Sequence, residues 1–191
     1  MTTVTKPKLD MKKYLAGLGF SAAVILSLEH ITAPSEGLVL PPYLDVTGVK
    51  TVCYGFTNNN NLGIKIKDKI YTEEECTLLA AKELQEVEHK ILPMIKAPIN
   101  DYQKAGFIDF AYNKGVGAFQ KSTMLGYFNA GNTKAACEQL TRWVFAGNCK
   151  QGERDCVQVS KDVWKFKLQG LVTRSELEMK FCLGTIKLEG K

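Results

Sequence analysis

Glu36 stands nine positions before Asp45, and Thr51 follows Asp45 by six. Two carboxyl groups and a hydroxyl are a sufficient set for cleaving a glycosidic bond with water. One carboxylic acid protonates the departing oxygen, and a second carboxylate activates water or stabilises the oxocarbenium-like charge. The acid must stay protonated near neutral pH, which demands partial burial away from cations. Glu36 comes after a long apolar run and is flanked by Gly37 and Leu38, a context suited to a half-buried side chain. Asp45 lies among turn-forming residues, where solvent keeps a carboxylate ionised, and the Thr51 hydroxyl can orient a water. By spacing alone most such pairs are surface charges, so the surrounding elements have to decide the matter.

The element before Glu36 is the uncharged run Tyr14 to Leu28 (YLAGLGFSAAVILSL), preceded by Lys6, Lys8, Lys12 and Lys13 and closed by Glu29. Cationic residues followed by an apolar stretch form an export signature. Read as one helix, the run spans about 22 Å at ~1.5 Å per residue, short of a ~30 Å hydrocarbon core. Ala16, Gly17, Gly19, Ser21, Ala22, Ala23 and Ser27 dilute it further, so a bilayer would hold it weakly. An ordinary buried first helix is the alternative. No Ala-x-Ala cleavage site follows.

After Glu36, Pro34, Gly37, Pro41 and Pro42 interrupt regular structure, and residues 43 to 67, rich in Val, Thr, Tyr and Ile, predict a small antiparallel sheet turning at Gly48, Gly55 and Gly63. The remainder is helical. Thr72 with Glu75 forms a capping box for a helix carrying Ala80, Leu84, Val87 and Ile91, ended by Pro93. Asn100 opens the next helix, with Tyr102, Phe107, Phe110 and Ala111, which stops near Gly115. Helices from Thr123 to Asn129 and from Thr133 to Phe145 follow, then a polar loop over 148–166. Thr173 with Glu176 opens a last helix ending at Gly184. A small sheet followed by many helices is α+β architecture.

The string Glu36 to Thr57, EGLVLPPYLDVTGVKTVCYGFT, resembles the active-site segment of glycoside hydrolase family 24, the T-even phage lysozymes. Glu36, Gly37, Leu38, Leu40, Tyr43, Asp45, Gly48, Thr51, Tyr54 and Gly55 match in one register without gaps. FAYNKGVGAF, STML, ACEQLTRWVFAG and GLVTRSELEMKFCLG are similar to the family's helical lobe, so the resemblance runs over about residues 34 to 184. It is nearest to the lambdoid branch, in which the N-terminal apolar helix acts as a signal-anchor-release segment. The resemblance implies a lysozyme-like fold, a small sheet lobe and a larger helical lobe with the active-site cleft between. It implies domains of 1–33, the basic segment and anchor, and 34–191, the catalytic domain.

It also implies that Glu36 is the general acid, that Asp45 holds or activates the attacking water with Thr51, and that the reaction inverts the anomeric centre. Asn113 either faces the cleft and binds substrate or caps its helix. Arg142 matches a cleft-side arginine, with a structural salt bridge as the alternative. Glu29 rivals Glu36 but lies sixteen positions from Asp45 and lacks a following Gly-Leu. Phe56 stands where many relatives carry histidine, a departure that bears on packing more than activity.

The expected activity is a phage endolysin, a muramidase cleaving the β-1,4 bond between N-acetylmuramic acid and N-acetylglucosamine. It is tethered at the host inner membrane through residues 14–28 and released to the periplasm, where residues 14–36 repack and set Glu36. A lytic transglycosylase and a non-catalytic peptidoglycan-binding module are the rival readings. A monomer is expected, without metal or organic cofactor.

Composition agrees with a globular domain: 191 residues, 45% hydrophobic, 24% charged, net charge +5. The basic balance favours polyanionic surfaces, but no basic run is interleaved with aromatics, so no nucleic-acid partner is expected. Six cysteines without a CxxC pair, and with His30 and His89 distant in sequence, argue against zinc. They point to disulfides in an oxidising compartment. Cys149 with Cys156 is the first expected bridge, with exposed thiols as the alternative. Cys53 with Cys76 and Cys137 with Cys182 are the other pairs to test among 15 connectivities.

Overall fold

The computed structural model describes residues 10–45, 48–60 and 62–186. Lys6 and Lys8 lie outside the described residues. Among the described residues the chain is α+β, with two small antiparallel sheets set against a body of helices.

The uncharged run is not one helix. It forms α1 (Met11–Gly17) and α2 (Ala22–Ser27). Gly19 breaks it at φ +84°, in the left-handed region glycine occupies without a Cβ penalty. Ser21 then starts α2 afresh, its side chain accepting from the Val24 amide at 3.1 Å. A π-helical turn, Leu28–Thr32, leads into the short α3 (Ala33–Glu36). Leu15, Val24, Leu28 and Ile31 are fully or almost fully buried, most of them in the same core as Phe107 and Phe110. Among the described residues no helix is long and apolar enough to cross a membrane.

The first sheet has the order β1-β2-β3, with β1 (Val39–Leu44), β2 (Lys50–Cys53) and β3 (Phe56–Thr57). It starts earlier than expected because Pro41 and Pro42 are tolerated on an edge strand, at the point where the β1–β2 register shifts between Val39 and Tyr43. It also ends earlier: among the described residues no strand follows Thr57 as far as Lys67. Side chains have taken over the backbone there. Asn60 Oδ1 accepts from the Leu62 and Ile64 amides at 2.9 and 3.0 Å, and Asn58 Oδ1 from Ile66 at 2.8 Å. Such local bonds compete with a strand ladder.

Helix α4 (Glu73–Ile91) carries the predicted Thr72–Glu75 capping box and ends before a 3-10 turn at Pro93. Helix α5 (Asp101–Lys114) is capped by Asn100 with Gln103 and ends at Gly115. It is the axis of the protein: Phe107 packs against Phe119 and Phe128, with ring centroids at 5.6 and 5.1 Å. Short helices α6 (Val116–Gln120), α7 (Thr123–Asn129) and α8 (Thr133–Glu138) complete that core.

Three expectations are corrected in the C-terminal third. The helix from Thr133 stops at Glu138, passes through a 3-10 turn to Arg142, and yields Phe145 and Ala146 to a strand, β4. The region 148–166 is not a plain polar loop but a hairpin of β5 (Cys156–Ser160) and β6 (Val163–Lys167), forming a sheet of order β4-β6-β5. The last helix, α9 (Gln169–Cys182), begins before the Thr173–Glu176 pattern because β6 feeds it directly, Leu168 donating to the Val144 carbonyl at 3.1 Å. The cysteines are joined as Cys53–Cys76, Cys137–Cys182 and Cys149–Cys156.

Candidate active site

Glu36 closes α3, and Gly37 turns the chain out of the helix at φ +73° into β1. Its side chain is 28% exposed. One oxygen, Oε1, accepts from Arg174 Nη1 in an ion pair, so Glu36 does not lie away from cations as its sequence context suggested. The other, Oε2, faces Gly55 in the β2–β3 turn, where a Cβ would lie 3.6 Å away. The acidic side chain therefore sits where the first sheet meets the helices, and Gly55 leaves room beside it. Tyr112 ties the same two parts together, its hydroxyl 3.5 Å from the Tyr54 carbonyl. Burial, then the charges of Glu83 and Glu36, push that phenol far above its usual range.

Arg174 is the keystone of the site. Its guanidinium forks onto Asp109, Nε to Oδ2 at 2.8 Å and Nη2 to Oδ1 at 3.0 Å, leaving Nη1 for Glu36. This planar two-sided grip is what a guanidinium can make and an ammonium cannot. Burial works against its charge, but Asp109 and then Glu36 outweigh that and hold the proton more tightly than usual. Asp109 is wholly buried and also accepts from the Thr32 hydroxyl at 2.6 Å. Thr32 in turn lies 3.4 Å from the Ser27 hydroxyl. A chain of polar contacts thus runs from the N-terminal helices through α5 and α9 to Glu36.

Helical periodicity explains the meeting. Gly106, Asp109 and Asn113 share one face of α5, and Arg174, Glu178 and Cys182 share one face of α9. Gly106 permits the approach: a Cβ there would stand 2.8 Å from the Glu178 backbone oxygen.

Glu36, Asn113 and Arg174 line one cleft of about 330 Å³, with Ser35, Leu168, Gly170 and Leu171. Asp45 and Thr51 lie at the β1–β2 turn, joined through Val49. Asp45 Oδ1 accepts the Val49 amide at 2.9 Å, and Thr51 Oγ1 donates to the Val49 carbonyl at 3.0 Å. Thr51 is buried, paired across the sheet with Tyr43 and Thr57. Arg142 is not in the Glu36 cleft. It hydrogen-bonds Gln139 at 2.9 Å and lines a separate hollow of about 420 Å³ with Thr123, Trp143, Phe145, Val159 and Lys165. Sequence reasoning passed over Arg174, Asp109 and Glu178. Two signals were available: an acidic residue inside the apolar run GFIDFA, and an Arg–Glu pair at helical spacing.

A phage lysozyme family model matches residues 33–178. A SAR-endolysin of bacteriophage PS34 is 39% identical over 166 residues, covering 84% of this chain and 87% of the relative. That of Enterobacteria phage PA-2 is 38% identical over 177 residues, covering 90% and 94%. The solved endolysin of Escherichia coli O157:H7 phage FAHEc1 has the same fold, with TM-score 0.69 and 24% identity over 89% of this chain and 96% of that one. The chain belongs to the phage lysozyme family, as a lysozyme-type glycoside hydrolase and endolysin.

Proposed function

We propose that the protein cleaves the β-1,4 bond between N-acetylmuramic acid and N-acetylglucosamine in peptidoglycan, with Glu36 as the general acid. The observation that carries this reading is the partly exposed Glu36 carboxyl, held from behind by Arg174 and opening on the cleft that Asn113 also lines. Asp45 and Thr51 position the attacking water on the far face of the sugar, and Asn113 contacts the glycan. The displacement inverts the anomeric centre. Arg142, in its own hollow, touches substrate only where the wall polymer extends beyond the cleft.

The reading is tested on solubilised peptidoglycan. Freshly released product carries a reducing muramic acid in the α configuration by NMR. Anhydro-muramic products by mass analysis indicate a transglycosylase instead, and β product indicates retention.

Residues 1–33 act as the targeting part and 34–191 as the catalytic domain. The uncharged segment Tyr14–Leu28 tethers the enzyme at the host inner membrane until release to the periplasm. The burial of this segment supports that order of events: once released it breaks at Gly19, docks through Ser21 on Glu88 at 2.9 Å, and brings Thr32 to Asp109. Cell fractionation tests it, with released protein lytic and membrane-bound protein inactive. Equal specific activity in both fractions contradicts it.

A further inference from the structure

The hollow beside Arg142 is larger than the Glu36 cleft, about 420 Å³ against about 330 Å³, and has no role in the bond cleavage described above. Its two walls come from different parts of the chain. One is the 3-10 turn Gln139–Arg142 with Trp143, and the other is a face of the second sheet. Strand register puts Phe145 and Lys165 on that face: Phe145 pairs with Lys167, two residues beyond Lys165, and side chains alternate along a strand. The Cys149–Cys156 bridge holds the base of the β5–β6 hairpin, together with the Cys149 amide, which donates to the Trp164 carbonyl at 3.1 Å.

The lining residues include two cations and no acid. Gln139 Oε1 accepts from Thr123 Oγ1 at 3.1 Å and from Arg142 Nη1 at 2.9 Å, which fixes the guanidinium and leaves its other nitrogens for a ligand. Among the described residues neither Arg142 nor Lys165 forms an ion pair. Glu138, next to Gln139, faces Lys134 instead, at 3.9 Å. Trp143 is half-buried, its ring set edge-on against buried Phe110 with centroids 5.0 Å apart. A fixed guanidinium and an ammonium beside a rigid aromatic wall suit a carboxylate carried on a less polar body.

The occupant follows from the position of the hollow. Leu168 lines the Glu36 cleft, and its amide donates to the carbonyl of Val144, the residue after Trp143. Lys165 lies three residues before Leu168, about 10 Å along an extended chain. A polymer lying in the cleft therefore brings its side groups within reach of the hollow. Neutral sugars give the two cations nothing to neutralise, whereas the peptides carried on muramic acid end in carboxylates.

We propose that this hollow is a second binding site, which takes a carboxylate of the wall's acidic peptide between Arg142 and Lys165, with Trp143 against the body of the peptide. The β5–β6 hairpin supplies the Lys165 half of that grip. The assignment rests on peptidoglycan being the substrate, but the binding is read without turnover.

The chain has two tryptophans, Trp143 and Trp164, so their indole N–H signals in NMR spectra report on the hollow once Trp164→Phe has told them apart. The probe is a synthetic muramoyl peptide with free carboxylates, titrated into wild type, Glu36→Gln, Lys165→Met and Lys165→Arg. The Trp143 signal moves saturably in wild type and equally in Glu36→Gln. Lys165→Met weakens the apparent Kd by about tenfold, the usual worth of one charge-assisted hydrogen bond, and Lys165→Arg restores most of it. Neutral chitotetraose leaves the signal in place. A Trp143 signal indifferent to the peptide, or Lys165→Met binding as wild type does, overturns the proposal. So does an equal response to chitotetraose, which makes the hollow a sugar site, or a response to phosphatidylglycerol micelles alone, which makes it a membrane contact. Wall left uncut by wild type while the peptide still moves Trp143 strikes the proposed reaction and leaves this site standing.

Discussion

Thr32 and Asp109, 77 positions apart, are joined by a hydrogen bond of 2.6 Å in the protein interior. This bond ties the end of the apolar N-terminal segment to the residue that orients Arg174. Thr32→Val keeps the shape and removes the donor, leaving a buried carboxylate oxygen short of one partner. The expected cost is ~1–3 kcal/mol, read by urea denaturation, with a fall in lytic rate. Unchanged stability and rate contradict the linkage.

Gly106→Ala places a methyl group 2.8 Å from the Glu178 carbonyl oxygen. Helices α5 and α9 then move apart, at ~1–3 kcal/mol as for other overpacked sites. Activity falls along with stability because Asp109 and Arg174 separate. A variant as stable and as active as wild type contradicts the tight approach.

The existence of the first sheet, though not its ends, the starts of α4 and α5 and the helix end at Gly115 were legible because each depends on local residues: glycines at 48 and 55, Thr72 with Glu75, Asn100, a glycine at positive φ. Glu36 stood out through its neighbours Gly37 and Leu38 and its spacing to Asp45 and Thr51. The second sheet did not, since β4 exists only because Phe145 finds Lys167, twenty-two residues on. The Arg174 network was hidden for the same reason. Its members lie on three elements far apart in sequence, and only packing brings α3, α5 and α9 together. The break in the apolar run was missed because composition speaks for hydrophobicity, while Gly19 and the Ser21 cap decide the path.

Stability of the wild type depends on pH through Glu178. Its folded-state pKa is raised well above 4.5 by burial and Asp109, so the folded state binds the proton more tightly than the unfolded chain. That stabilisation is fully present below the unfolded pKa and is lost as pH rises through the folded one. Glu178→Gln has no proton to lose. Its Tm relative to wild type therefore rises steadily from pH 4 upward. A difference independent of pH contradicts a raised pKa.

Loop length ranks the disulfides. Removing Cys137–Cys182, with a separation of 45, costs about 4 kcal/mol on the chain-entropy account, and removing Cys149–Cys156, with a separation of 7, about 2 kcal/mol. Paired Ala substitutions followed by thermal unfolding give the order. A reversed ranking means that native packing, rather than the unfolded chain, dominates their contribution.

Turbidity loss of outer-membrane-permeabilised Gram-negative cells, compared between wild type and Glu36→Gln, bears on the acid itself. The amide oxygen still accepts from Arg174 although the ion pair is lost, so the substituted protein stays folded with at most a modest fall in Tm, while lysis drops by about 10²-fold or more, the usual worth of a general acid. Normal lysis by Glu36→Gln would mean that the proton reaching the glycosidic oxygen comes from elsewhere.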